Sequence, residues 1–184
     1  MTTTFKNKLA ANVGTNLTVT AVTPSSPSVG SVTLTFAAQT AIPFPVGTTI
    51  HVVGLSVSGY NGVYTVTGCT TTTVTFVNAT TTAGATGGTI YPNLITTNGT
   101  ATTTVLGLSI TNTTGGIILV SVLLQDTVAN TSAYFAQNVI VPLNTTVRLI
   151  NGGERLVLSA STYVDVFSST LSSADVVMSW VEIS

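Results

Sequence analysis

From residue 9 to residue 125 the chain contains no Asp, Glu, Lys or Arg. Lys6 and Lys8 precede this gap and Asp126 follows it. Charged residues make up 5% of the chain, where about 25% is usual for a soluble domain. Such a chain has to fold without the charged side chains, Lys above all, that normally keep open strand edges from pairing with other chains. Charge also keeps a protein soluble as a monomer. We therefore expect much of the surface to be covered in the functional state, by copies of the chain or by a partner. Hydration by Thr and Ser hydroxyls is the alternative.

The same gap removes whole classes of function. Net charge is -1, and there is no basic stripe to neutralise phosphates, so nucleic-acid binding is not expected. No run of Asp, Glu, His or Cys has the spacing of a metal site. Acid–base catalysis needs convergent titratable groups, and the gap offers only His51, Cys69 and a few Tyr. No catalytic residue, metal or cofactor is expected, and the chain does not read as an enzyme. The single Cys69 excludes an intrachain disulfide, and no cation lies near it in sequence to activate the thiol. The longest apolar run, Ile117 to Leu124, falls short of the roughly 18 residues of a spanning helix. Hydropathy alone does not decide against a membrane β-barrel. Residues 1–10 lack a continuous apolar core, so no secretory signal is expected.

What the chain has in abundance is branching at Cβ. It contains 39 Thr and 26 Val, which are stiff at χ1 and suit strands. No dozen-residue window keeps helical spacing without Gly, Thr or Pro interrupting it. Period-two alternation marks strands at 17–22 and 31–36, joined by a turn over 23–30. Further strands are read at 48–53, 63–67, 72–77 and 89–91. Asn61-Gly62 supplies the positive φ of a tight turn between two of them. A second block has strands at 102–111, 117–124, 132–141, 146–150, 155–158, 163–167 and 176–183, the number and spacing of a two-sheet sandwich. Phe5, Leu9 and Val13 lie four apart, which leaves a helical turn and an extended arm both open. The fold class is all-β. A C-terminal antiparallel, jelly-roll-like β-sandwich at 94–184 follows a small β domain at 17–93, and 1–16 is an N-terminal arm.

Both ends of the chain carry a family resemblance. Thr4-Phe5-Lys6-Asn7, then Asn12-Val13-Gly14-Thr15, resembles the opening of small virion structural proteins of T4-like cyanophages and related marine tailed phages. Val105 to Thr113, Gly152 to Leu158, Tyr163 to Val166, Ser172 to Val177 and Val181 to Ser184 are similar to the same group. In the compact form that the resemblance suggests, the first strand follows Asn-Val-Gly-Thr almost directly. Here residues 17–93 intervene and read as an inserted domain, since exposed loop tips tolerate insertion best. The resemblance implies a virion structural component. A capsid decoration or cement protein on the outer capsid surface is expected. Its partners would be the major capsid protein or another virion protein, and copies of itself in a homo-oligomer. A neck, tail or fibre component, or a surface adhesin or carbohydrate-binding module, are the alternatives.

Few residues stand out as contacts. Phe5, Lys6 and Lys8 are expected to bridge to a neighbour, and Arg148 and Arg155 to meet carboxylates between subunits. His51, beside Ile50, Val52 and Val53, reads as structural. Asp165 is expected at an outward position and Asp175 in a turn. Glu154-Arg155 reads as a solvated turn. Trp180 alternates with Met178 and Val176 and is expected in a core or subunit interface. Tyr60, Tyr64 and Tyr91 are the aromatics that a carbohydrate site would use. Asn-x-Ser/Thr sequons occur at Asn16, Asn78, Asn98, Asn112, Asn130 and Asn144, in a chain so rich in Ser and Thr that several arise by chance.

Overall fold

The computed structural model describes residues 2–24, 30–97, 99–129 and 131–184. The centre of the turn expected over 23–30, and the sequons at Asn98 and Asn130, lie outside the described residues. Apart from one 3-10 turn, the regular structure there is β throughout. The chain divides into two compact units, residues 1–14 with 94–184, and residues 15–93.

The chain enters the first unit as β1 (Thr3–Val13) and then builds the second from β2 (Leu17–Thr23), β3 (Ser31–Phe36), β4 (Thr49–Leu55), β5 (Gly62–Cys69), β6 (Thr73–Val77) and the first part of β7 (Gly87–Thr96). Its hydrogen-bonded neighbours run β7-β2-β3-β6-β5-β4, and β4 pairs back onto β7. This is a closed six-stranded barrel. The inside is filled by Val32, Leu34, Phe36, Ile50, Val52, Val66, Val74, Phe76 and Ile90, all buried. Between them the outward positions are mostly Thr. Thr33 and Thr75 face each other with hydroxyls 3.2 Å apart, and Thr67 donates to the Thr75 carbonyl. A period of two with β-branched residues at both phases yields this result, apolar inside and hydroxyl outside.

Closure alters the meaning of the missing charge. A barrel has no free edge to protect, so the reason for expecting coverage at open edges does not apply to this unit. The seam needs glycine. Gly54 on β4 and Gly87 and Gly88 on β7 all have positive φ. A Cβ on Gly88 would stand 2.8 Å from Leu55 Cγ and 3.1 Å from the Leu55 backbone nitrogen. The link from β4 to β5 is a 3-10 turn, Ser58–Tyr60, rather than a two-residue hairpin. Asn61 seals it, accepting from Leu55 N and donating to Leu55 O at 2.9 and 3.0 Å. Gly62 carries the positive φ and Asn61 does not.

The other unit is a sandwich of two antiparallel sheets. Its remaining strands are β8 (Thr102–Asn112), β9 (Ile118–Asp126), β10 (Thr131–Val141), β11 (Thr146–Ile150), β12 (Leu156–Leu158), β13 (Thr162–Ser168) and β14 (Ala174–Ile183). One sheet is ordered β1-β14-β8-β11, with β12 also on β8. The other is β10-β9-β13 with the end of β7. Val105, Leu108, Ile110, Met178 and Trp180 from the first sheet and Val120, Val122, Val164 and Val166 from the second form one buried core. Trp180, Met178 and Val176 thus belong to the core. The lead segment is neither helix nor free arm. It is the edge strand β1, paired with β14 from Thr3–Ile183 to Val13–Ala174.

Gly88→Ala should destabilise the chain by about 1–3 kcal/mol, the cost of holding a side chain in a glycine-only conformation. Gly115→Ala, where an added Cβ meets nothing within 4 Å, should stay within about 0.5 kcal/mol of the parent. Urea denaturation of both variants checks this.

Candidate functional site

In an antiparallel pair, residues directly opposite one another project from the same face. The β1–β14 register therefore decides what each residue of the lead segment does. Lys6 lies opposite Trp180 and Lys8 opposite Met178, on the core-facing side, while Phe5, Asn7 and Leu9 lie opposite Val181, Ser179 and Val177 on the outer side. Inward-pointing lysines on an edge strand oppose the approach of another strand. Lys6 Nζ is also engaged within the chain. It donates to Glu182 Oε2 at 2.6 Å, and Trp180 Nε1 donates to the other oxygen at 2.9 Å. These two hydrogen bonds, the one from Lys6 foremost, hold the Glu182 carboxyl below its usual range against the opposing effect of burial. The clamp fastens the edge strand to the core.

On the outer side the registers line up across the sheet. Leu9, Val177, Ser109 and Arg148 form one row across β1, β14, β8 and β11. Phe5, Val181, Thr104 and Val157 form another across β1, β14, β8 and β12. Between them runs a row of small groups, Asn7, Ser179 and Gly107. Phe5 is 76% exposed, Leu9 71%, Val157 62% and Val177 43%. Beside Leu106, the bulged residue of β8, a depression of about 240 Å³ is lined by Gly107, Ser109, Ser179, Val177, Arg148 and Asn151. Arg148 is exposed on β11 and Arg155 in the loop before β12. Neither makes a side-chain hydrogen bond or ion pair among the described residues.

The opposite sheet ends on β10. This strand is eleven residues long, carries no charge and exposes Tyr134, Phe135 and Ile140. Two register shifts interrupt its pairing with β9, and Asn138 takes a positive φ. Tyr134 lies edge-to-face with Phe167 of β13 at 6.4 Å.

Other sequence-predicted positions are structural in their surroundings. Asp165 is a correction. It was expected outward, and it does alternate with core Val164 and Val166, yet it is fully buried. Gln125 Nε2 donates to its Oδ2 at 2.7 Å. Asp175 accepts from Asn12 N at the β1 bulge, which puts it 163 residues away in sequence from the group it holds. Asp126 caps its own turn through Val128 N and Ala129 N. His51 is buried in the barrel wall between Val63 and Tyr91. Burial raises the Cys69 pKa, offset in part by a backbone hydrogen bond at Phe44, which is the reverse of thiolate activation.

Of the three aromatics named for a carbohydrate site, Tyr60 and Tyr64 pack within the barrel, while Tyr91 is half-buried opposite His51. Tyr60 is fully buried, with its hydroxyl within reach of the Thr82 and Thr80 carbonyls at 2.7 and 3.1 Å. Tyr64 stacks on Phe76 with ring centroids 4.1 Å apart. Two sequons prove to be turn chemistry. Asn112 is buried, donates to the carbonyls of Gly116, Val141 and Pro142, and accepts from Thr114. Asn78 accepts from Thr80 N in the same way. Among the described residues no three of His, Cys, Asp and Glu gather in one place, and no helix is long and apolar enough to cross a membrane.

The outer rows and the free face of β10 were invisible to a strand-by-strand reading, because both depend on register and sheet order. No protein-family model, curated protein or solved structure matches the chain.

The Lys6–Glu182 clamp has a defined pH signature. A carboxyl whose folded pKa is depressed contributes stability above its unfolded pKa and loses it as pH falls through the folded value. The stability difference between the parent and Glu182→Gln should be present at neutral pH. It should vanish in acid, below the ordinary carboxylate range. Paired denaturation curves across pH check this, with the sign reversed if Glu182 were destabilising.

Proposed function

We propose that this chain is a non-enzymatic structural protein of a tailed-phage virion, a decoration or cement protein that binds the outer capsid surface and stabilises the shell. The observation that supports it best is the placement of the charges. In the sandwich unit, β1 carries inward Lys6 and Lys8, and the β11–β12 side carries Arg148 and Arg155 on short strands or beside them. These are known guards against strand pairing. β10 alone is a long edge strand without charge, and it exposes Tyr134, Phe135 and Ile140 among polar Ser132, Gln137 and Asn138. An edge left without charge where the others have it is suited to receive a partner, by strand addition and apolar contact. The two bulges of β10 are a guard of another kind, against indiscriminate pairing along its whole length. The resemblance of both ends of the chain to virion structural proteins supplies the biological setting. The barrel unit, being closed, has no edge to offer.

Mass spectrometry of purified particles of the phage that encodes the chain should detect it at high copy number, comparable with the shell protein. Low copy number would move it to the neck, tail or fibre. Its absence from the particle would overturn the reading. In a particle that contains it, Tyr134→Lys or Ile140→Lys should reduce incorporation without unfolding the chain, since both side chains are exposed.

A further inference from the structure

The outer face of the β1-β14-β8-β11 sheet has a symmetry of its own. Across the middle row of Asn7, Ser179 and Gly107, the flanking rows match in kind on β1, β14 and β8, while in the outermost column Arg148 of β11 stands against Val157 of β12. Leu9 stands against Phe5, Val177 against Val181, and Ser109 against Thr104. Apolar residues correspond to apolar residues, and a hydroxyl to a hydroxyl. A two-fold axis lying along the middle row would therefore set Leu9 on Phe5 of the second copy, Val177 on its Val181 and Ser109 on its Thr104. Self-complementarity of this kind is what an isologous contact requires, residue i meeting j while j meets i.

The charges at the end of the face obey the same operation. Arg148 closes the upper row opposite Ser109. The loop 151–155 leaves β11 after Ile150, which pairs with Leu108, and enters β12 at Leu156, which pairs with Val105. It therefore lies level with the middle row. It carries Glu154, which is exposed and without an ion pair among the described residues. Rotation about the middle row brings Arg148 of each copy toward Glu154 of the other. The chain's remaining carboxylates are unsuited to this role. Asp165 is buried, Glu182 holds Lys6 and Trp180, Asp175 holds Asn12, and Asp126 caps its own turn.

We infer that this sheet face is the contact between two copies of the chain, an antiparallel face-to-face stack of the two sheets. Leu9, Val177, Phe5 and Val181 form its apolar part, and two reciprocal Arg148–Glu154 pairs lie together at its β11 end. Stacked sheets lie about 10 Å apart, and the small groups of the middle row let the flanking side chains interdigitate. The inference rests on the assembled, homo-oligomeric part of the proposed function and names the partner and the surface. It leaves β10, on the other sheet, available for the shell.

The test uses the full chain and reads its mass in solution by light scattering and sedimentation. The parent should be a dimer. Arg148→Glu and Glu154→Arg each turn both end contacts into like-charge pairs, and each should weaken the dimer about tenfold or more. Mixing the two variants should restore it, because in the mixed dimer both contacts again join opposite charges. Val177→Lys should give a monomer, with circular dichroism and the urea midpoint showing that it is folded. A parent that stays monomeric would overturn the inference, as would a dimer indifferent to all three variants or a mixture that fails to recover. Each of these results leaves the virion reading to be decided separately by the composition of the particle. A monomer that incorporates into virions would assign the face to a different protein.

Discussion

An unpaired strand edge presents a row of backbone donors and acceptors, and each must be hydrated, blocked or paired. The structure is organised around that requirement because the chain has so few charges with which to meet it. In residues 15–93 the problem is removed by closure, with β4 returning to β7 through a seam of glycines. In the sandwich the edges remain, and most of the charged residues are found at them or holding them in place. Lys6 and Lys8 lie on β1, Glu182 and Asp175 tie β1 to β14, and Arg148 and Arg155 border β8's other flank. The edge without such protection, β10, is the one that carries exposed aromatic and aliphatic residues.

This distribution gives the low charge two separate causes. In the barrel, charge is unnecessary, because there is no edge and Thr hydroxyls cover the outer surface while bonding to one another and to neighbouring carbonyls. In β8 and β9, at the end of the uncharged stretch, the strands are central in their sheets and their inward residues fill the core. Apolar, open surface on the sandwich unit includes the outer rows around Leu9 and Phe5 and the flank of β10, and on the barrel unit Ile42, Val46 and Val77 are exposed.

Much of the strand pattern was legible residue by residue. Ser31–Phe36 and Thr146–Ile150 coincide with the expected strands, and the hairpins β2–β3 and β5–β6 pair as expected. Here alternation and β-branching are local signals, and the pairing partner is the next strand along. Reading failed where a residue's role depends on something distant. Val13 signals a core position, but Phe5 and Leu9, in the spacing of a helix, face outward from a strand whose partner begins at Ala174. Tyr60 looks like a surface aromatic in a Gly-rich turn and is buried instead, its hydroxyl held by the Thr80 and Thr82 carbonyls twenty residues and more away in sequence. Asp165 sits on the phase opposite Val164 and Val166, as alternation requires, and only the tertiary structure decides that this phase is buried too, with Gln125 of β9 donating to it.

What the sequence by itself determined is the class of structure, all-β, and how little charge that structure has to place. Steric preference at Cβ acts within a residue, period two acts between neighbours, and a missing charge is missing in any conformation. Tertiary structure decided the closure of the barrel, which way Lys6 and Lys8 point, and the alignment of Leu9, Val177, Ser109 and Arg148 into a row. Each of these depends on the register between strands remote in sequence. A shift of a single residue exchanges the two faces of a strand, and it is set by the packing of the whole core rather than by any segment alone.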